Sequence, residues 1–240
     1  MNTGKVIRAI RLGPTCYKPV WDLQRDIFEG RVRGLGEDVL LLTEHFHVYT
    51  LGRGSDPDHL LAGGAELKQT GAEVYDVDRG GDITYHGPGQ IVGYPILNLN
   101  DYYADIHRYL RDIEEVIIRT LSGFGIKSYR EGGYTGVWAG GGKVAAVGVK
   151  VNRWITMHGF ALNVNTDLSY FDRIIPCGIF HKGVTSMERI KGNMIPLEDV
   201  FNKVAENFGK VFGVNVVKSD LNDILHFTIH QRKIKIECEQ

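Results

Sequence analysis

Cysteine is scarce: the 240-residue chain holds three, Cys16, Cys177 and Cys238. They are too few and too scattered for a disulfide framework or a zinc cluster, so reduced thiols and no bound metal are expected. An excess of one charge is missing too. Lys and Arg number 28 against 29 Asp and Glu, a net charge of −1. Such a chain offers no strong field for nucleic acid or an anionic membrane, and neither is expected as a partner. No apolar run is long enough to span a bilayer. Met1 to Lys5 lacks the apolar core of a signal peptide and the Arg/Ser richness of a transit peptide, so a cytoplasmic location is expected. There is no repeat, low-complexity tract or linker. Hydrophobic content of 43% then implies a sizeable core, and residues 1–240 are expected to form a single domain. Residues 214–240 read as a small C-terminal addition, whose Arg232-Lys233-Ile234-Lys235-Ile236-Glu237 alternation suggests an edge strand.

Glycine is abundant, with 30 residues, and it concentrates around Arg79-Gly80-Gly81-Asp82-Ile83-Thr84-Tyr85-His86-Gly87-Pro88-Gly89-Gln90. The Gly80-Gly81 pair permits positive φ and close backbone approach. Arg79 and His86 supply hydrogen-bond donors at either end. Two readings fit: a binding loop held on a rigid sheet, or a glycine-rich connection with no ligand. The stretch is neither a Walker loop, since no Gly-Lys-Ser/Thr closes it, nor a dinucleotide fingerprint, since no helix pattern follows.

Strands are predicted at Val6 to Leu12, Asp38 to Thr43, Val74 to Val77, Ile91 to Leu99, Thr135 to Ala139, Lys143 to Val151 and Ile155 to Val164. Val48 to Leu51 is predicted as the hairpin partner of the second. Gly52-Arg53-Gly54-Ser55 reads as a turn. Helices are predicted from Pro19, with Val20, Leu23, Ile27 and Phe28 on one face, and from Ile106 to Gly123. A third follows Pro196, with Glu198 and Asp199 in its first turn and Gly213 as its stop. The fold class is α/β of the α+β type, a mixed and largely antiparallel sheet flanked by helices. No βαβαβ alternation is visible, which argues against a doubly wound sheet.

Two further features carry chemistry. With Asn152-Arg153 as the turn, Val144 would oppose Ala161, Ala146 would oppose Gly159, and Gly148 would oppose Met157. One face would be a trough of small residues, suited to an extended chain or to tight sheet packing. Lys143 would point to the other face unless Gly140-Gly141-Gly142 bulged the strand. The second feature is Pro176-Cys177-Gly178, a cysteine in a turn. It is a nucleophile if a cation lowers its pKa and an inert thiol otherwise; Lys143, His86, His158 and His181 are the candidate cations. Cys16 and Cys238 lie outside any glycine-rich context and read as inert.

Arg79 to Gln90 resembles the RGG-x-x-TYHGPGQ signature of the lipoyl(octanoyl) transferases of lipoate biosynthesis. Thr135-Gly136-Val137-Trp138, Lys143 to Gly148, His158 to Asn163, Pro176-Cys177-Gly178 and Gly183-Val184-Thr185-Ser186 resemble further blocks of that family, in its order, over Val39 to Phe212. The resemblance implies the catalytic fold of biotin and lipoate protein ligases. It implies transfer of an octanoyl group from octanoyl-acyl carrier protein to a lysine of lipoyl domains or of the glycine-cleavage H protein, without ATP or any cofactor. It assigns Cys177 as the nucleophile and Lys143 as its catalytic partner. Substrate contacts would come from Arg79, Gly80, Gly81, Asp82, Ile83, Thr84, Tyr85 and His86, from Ala146, Val147 and Gly148, and from Gly159, Phe160 and Ala161. Rival expectations are an ATP-dependent ligase on the same fold and a non-catalytic lipoyl-domain-binding protein.

Overall fold

Two faces of one central sheet account for most of the buried apolar side chains in the computed structural model, which describes residues 4–175 and 183–224. In chain order its elements are β1 (Val6–Thr15), α1 (Tyr17–Val32), β2 (Val39–His45), β3 (Val48–Leu51), α2 (Gly64–Thr70), β4 (Glu73–Asp76), β5 (Thr84–His86) and β6 (Gln90–Ile96). There follow α3 (Ile106–Gly123), β7 (Ser128–Tyr129), β8 (Val137–Ala139), β9 (Gly142–Asn152), β10 (Ile155–Asn163), α4 (Met187–Lys191), α5 (Leu197–Phe212) and β11 (Asn215–Lys218). The main sheet runs β11-β1-β2-β6-β10-β9-β8-β7. Only β1 pairs in parallel, with β11 and β2; every other neighbour is antiparallel.

Strand β2 reads as an unbroken apolar run because it is buried on both sides. Leu40 and Leu42 pack toward α3 and α5, with Ile113, Val116, Val204 and Phe208. Val39 and Leu41 pack toward α1, with Val20, Leu23 and Ile27. Each such buried side chain contributes about 1.5–3 kcal/mol. Helix α1 starts at Tyr17, two residues ahead of the expected Pro19, and Phe124 rather than Gly123 is the C-cap of α3. Asp105 caps α3 by accepting a hydrogen bond from the Arg108 amide at 3.0 Å, and Gly213 ends α5 in the left-handed conformation at φ 67°.

One strand assignment is corrected. Val48 to Leu51 does not form a hairpin with β2. As β3 it centres a second, three-stranded sheet, β4-β3-β5, parallel to β4 and antiparallel to β5. Only Phe46 and His47 separate β2 from β3, and the chain turns there out of one sheet into the other. The small sheet packs Tyr49 and Tyr85 against Phe171 and Ile174. It thereby carries the residue 79–90 stretch alongside the main sheet.

Candidate active site

The hairpin of β9 and β10 forms the floor. Its turn is Arg153-Trp154, with φ of 50° and 64°, as a two-residue turn joining twisted strands requires. Ala146 therefore opposes Ala161, and Gly148 opposes Gly159. The expected pairing, built on an Asn152-Arg153 turn, is displaced by two residues. A slip of two keeps every side chain on its face, so the small residues still share one. The glycine-rich loop lies on them. The Gly80 amide donates to the Val149 carbonyl at 2.9 Å, and a Cβ at Gly148 would stand 2.8 Å from the Gly80 carbonyl oxygen. Gly159 differs: its Cβ would strike the Gly93 carbonyl and sit 2.6 Å from Pro95 Cδ of β6.

Lys143 is aimed by a bulge. Val137 pairs with Ala145 and Trp138 with Lys143, so β9 has one residue too many against β8. Val144 and Ala145 both enter the core beneath α3, and Lys143 lines the cavity beside Ala146 and Gly148. This corrects the expectation from simple alternation that Lys143 points away from the small-residue face. Its Nζ lies 5.0 Å from the centre of the Trp138 ring. Gly136, at φ 134°, backs it; a Cβ there would stand 2.6 Å from Lys143 Cε. The Lys143 amide donates to the Gly183 carbonyl at 2.9 Å, and the Lys143 carbonyl accepts from the Thr185 amide at 3.0 Å. The lysine is thus anchored to the Gly183-Val184-Thr185-Ser186 block. Cys177 lies outside the described residues, as do His181 and Cys238. Cys16 sits at the N-cap of α1.

The cavity has a volume of about 510 Å³, within the range of small-molecule sites. Of the loop it is lined by Arg79, Gly80, Gly81, Asp82, Ile83, Thr84 and His86, and from the hairpin by Ala146, Val147, Gly148, Gly159, Phe160 and Ala161. Tyr85 does not line it. Alternation along β5 turns its ring the other way, to stack on Tyr170 at 4.8 Å with its hydroxyl 2.8 Å from His47 Nδ1. Arg79 is buried, and its Nη2 donates to the carbonyl oxygen and Oγ1 of Thr50 on β3 at 2.6 and 2.9 Å. Asp82 accepts from the Ile83 amide at 2.7 Å and pairs with His59 Nδ1 at 2.6 Å. The Arg53 and Gly54 amides donate to the Arg79 and Gly81 carbonyls at 3.0 and 3.1 Å, so the Gly52 to Ser55 turn braces the loop.

Several lining groups carried no signal in the sequence. Tyr17, ahead of the helix expected from Pro19, and Tyr94, within the apolar run of β6, reach the cavity. His158, already a candidate in the sequence, lines it too, with Nε2 2.8 Å from Asp78 Oδ1, while Lys150 Nζ holds Asp78 Oδ2 at 2.6 Å. The His158 hydrogen bond, with Lys150 in support, pulls the Asp78 carboxyl far below its usual range. His158 itself stays less basic than usual because it is buried. His45 and His86 lie edge to face, 6.0 Å apart. Burial lowers them to about 4 and about 3 respectively, so both are neutral at pH 7. No helix among the described residues is long and apolar enough to cross a membrane.

Residues 16–209 match the family described as the lipoyl protein ligase A/B catalytic domain. An octanoyltransferase of Rubrobacter xylanophilus is 54% identical over 203 residues, 84% of this chain and 91% of that protein. An octanoyltransferase of Christiangramia forsetii is 49% identical over 225 residues, 87% of this chain and 96% of that protein. Among solved structures, lipoate-protein ligase A bound with ATP superposes with a TM-score of 0.72 at 15% identity, over 89% of this chain and 88% of that one. The bipartite lipoate protein ligase of Thermoplasma acidophilum gives 0.71 at 15% identity, over 91% and 87%. The distant structures share the fold, and the nearer sequences narrow it: the chain belongs to the lipoyl protein ligase A/B catalytic family, among its octanoyltransferases.

Proposed function

We propose that the chain, as one catalytic domain in the cytoplasm, transfers an octanoyl group from octanoyl-acyl carrier protein to a specific lysine of lipoyl domains or of the glycine-cleavage H protein. The observation that carries this reading is the bulge that turns Lys143 into a cavity bordered by the 79–86 loop, in a chain 54% identical to an octanoyltransferase. In the first half-reaction the Cys177 thiolate attacks the donor thioester carbonyl, the carbon–sulfur bond to the carrier breaks, and the carrier sulfur leaves as a thiol, taking the proton of the Lys143 ammonium and leaving Lys143 neutral. The exchange trades one thioester for another and needs no ATP. The Lys143 ammonium favours the Cys177 thiolate. In the second half-reaction the acceptor amine attacks, an amide forms, the Cys177 thiolate leaves, and a neutral Lys143 takes the amine's proton. Backbone amides of the glycine-rich loops would supply the oxyanion donors.

Intact mass after mixing with octanoyl-acyl carrier protein tests this. A single octanoyl adduct should appear, map to Cys177 and vanish in Cys177→Ala. An adduct on Cys16 or Cys238 with Cys177 free overturns it. Transfer that releases AMP and requires ATP would make the chain a ligase.

A further inference from the structure

A chain of buried amides ends at the cavity. Asn163, the last residue of β10, donates from Nδ2 to the Thr185 carbonyl at 3.0 Å. A backbone carbonyl only accepts, which fixes the orientation of the Asn163 amide. Its Oδ1 accepts from Gln90 Nε2 at 2.9 Å, and the same nitrogen donates to the Tyr85 carbonyl at 3.1 Å. Two acceptors around one nitrogen fix Gln90 as well, and its Oε1 then faces His86 Nδ1 at 2.8 Å. An amide oxygen cannot donate. Nδ1 must therefore carry the proton, and Nε2 keeps a bare lone pair. Gln90 and Asn163 are only 1% and 4% exposed, so water does not compete for this order. His86 lines the cavity, and its Nε2 is hydrogen-bonded to no described residue.

We propose that Gln90 and Asn163 are positioning residues that hold His86 as its Nδ1–H tautomer, so that Nε2 accepts an N–H of the incoming lysine amine. The inference rests on the transfer reaction proposed above. An octanoyl thioester has no N–H or O–H on its acyl group, so the amine is the donor that the second half-reaction introduces. Holding one N–H at Nε2 restrains the amine's rotation before it attacks. The groups facing the ring are Tyr17, stacked parallel at 6.1 Å, His45 at 6.0 Å, Arg79 and His158. Burial, with His45, Arg79 and His158 adding to it, keeps His86 a weak base at about 3. It orients the amine, and the proton goes to Lys143.

The full chain with ¹⁵N-labelled histidine, studied by long-range ¹H–¹⁵N correlation, reads the tautomer directly, with His86→Asn as the assignment control. A pyrrole-like Nδ1 and a pyridine-like Nε2 are expected for His86. An Nε2–H tautomer overturns the proposal without any variant. In Gln90→Met and Asn163→Leu the tautomer should become mixed. Aminolysis of the isolated octanoyl-enzyme should then slow at least tenfold, while its formation changes less than twofold. Equal slowing of both half-reactions, or unchanged aminolysis, overturns it. Wild-type chain that forms no octanoyl-enzyme would instead defeat the transfer reaction, and leave the tautomer measurement standing.

Discussion

Lys143 has two proposed tasks that different substitutions separate. Lys143→Arg keeps the cation proposed to favour the Cys177 thiolate but cannot readily give up a proton. It should preserve thiol reactivity at low pH, form the octanoyl-enzyme and stall there. Lys143→Met removes both functions and should slow both half-reactions, with the midpoint of thiol alkylation moved to higher pH. Identical alkylation profiles and transfer rates in all three proteins would make the lysine a bystander. At Arg79 the structure adds a role inside the fold. Arg79 donates two buried hydrogen bonds to Thr50. Arg79→Ala should therefore cost about 1–3 kcal/mol in urea unfolding as well as activity. Undiminished stability would return Arg79 to a purely substrate-facing role. Both residues stand out in the sequence by type and glycine-rich company. Their orientations do not, because one depends on a bulge and the other on a strand of a separate sheet.

Among the elements, the β9–β10 hairpin carries a correctable strain. Arg153 and Trp154 both sit at positive φ, where L-residues other than Gly, Asn and Asp are disfavoured by about 1–2 kcal/mol. Replacing the pair by Asn-Gly should raise stability by about 1 kcal/mol, seen as a higher urea midpoint with unchanged slope. A lower midpoint would mean that the Trp154 side chain contributes more than the turn costs. Gly159→Val tests the strand beside it. A side chain there meets the Gly93 carbonyl and Pro95 of β6, so octanoyl and butanoyl transfer should fall alike. Selective loss of the longer chain would place position 159 on the wall of the acyl slot. The strands and long helices of this region were readable because alternation and 3.6-residue spacing are local. The pairing register was not, because it turns on which two residues adopt positive φ. The partner of Val48 to Leu51 was hidden for a different reason: nothing in a four-residue apolar strand states which sheet it joins.

For the whole molecule, two buried histidines set an acid limit on stability. His45 and His86 fall from 6.5 to about 4 and about 3 on folding, chiefly because burial removes water from the imidazolium. Between those values and 6.5 the unfolded chain binds more protons than the folded one, so stability rises with pH. Their contribution is fully present above about pH 6.5 and is lost as pH falls through about 4 for His45 and about 3 for His86. At pH 5 the loss should be on the order of 2 kcal/mol for each, relative to pH 7. Asp78, held low by His158 and Lys150, acts in the same direction but only below its own usual range near 3.8, whereas His158, also lowered by burial, adds to the same slope within the window. Urea unfolding at half-unit steps from pH 7.5 to 4.5 measures the slope. His45→Gln and His86→Gln should each remove their share of it, whatever they cost at pH 7. A double variant with the wild-type slope would mean that these two imidazoles charge as readily in the folded protein as in the unfolded chain. The neutral, tautomer-locked His86 on which the amine's alignment rests would then be lost with it.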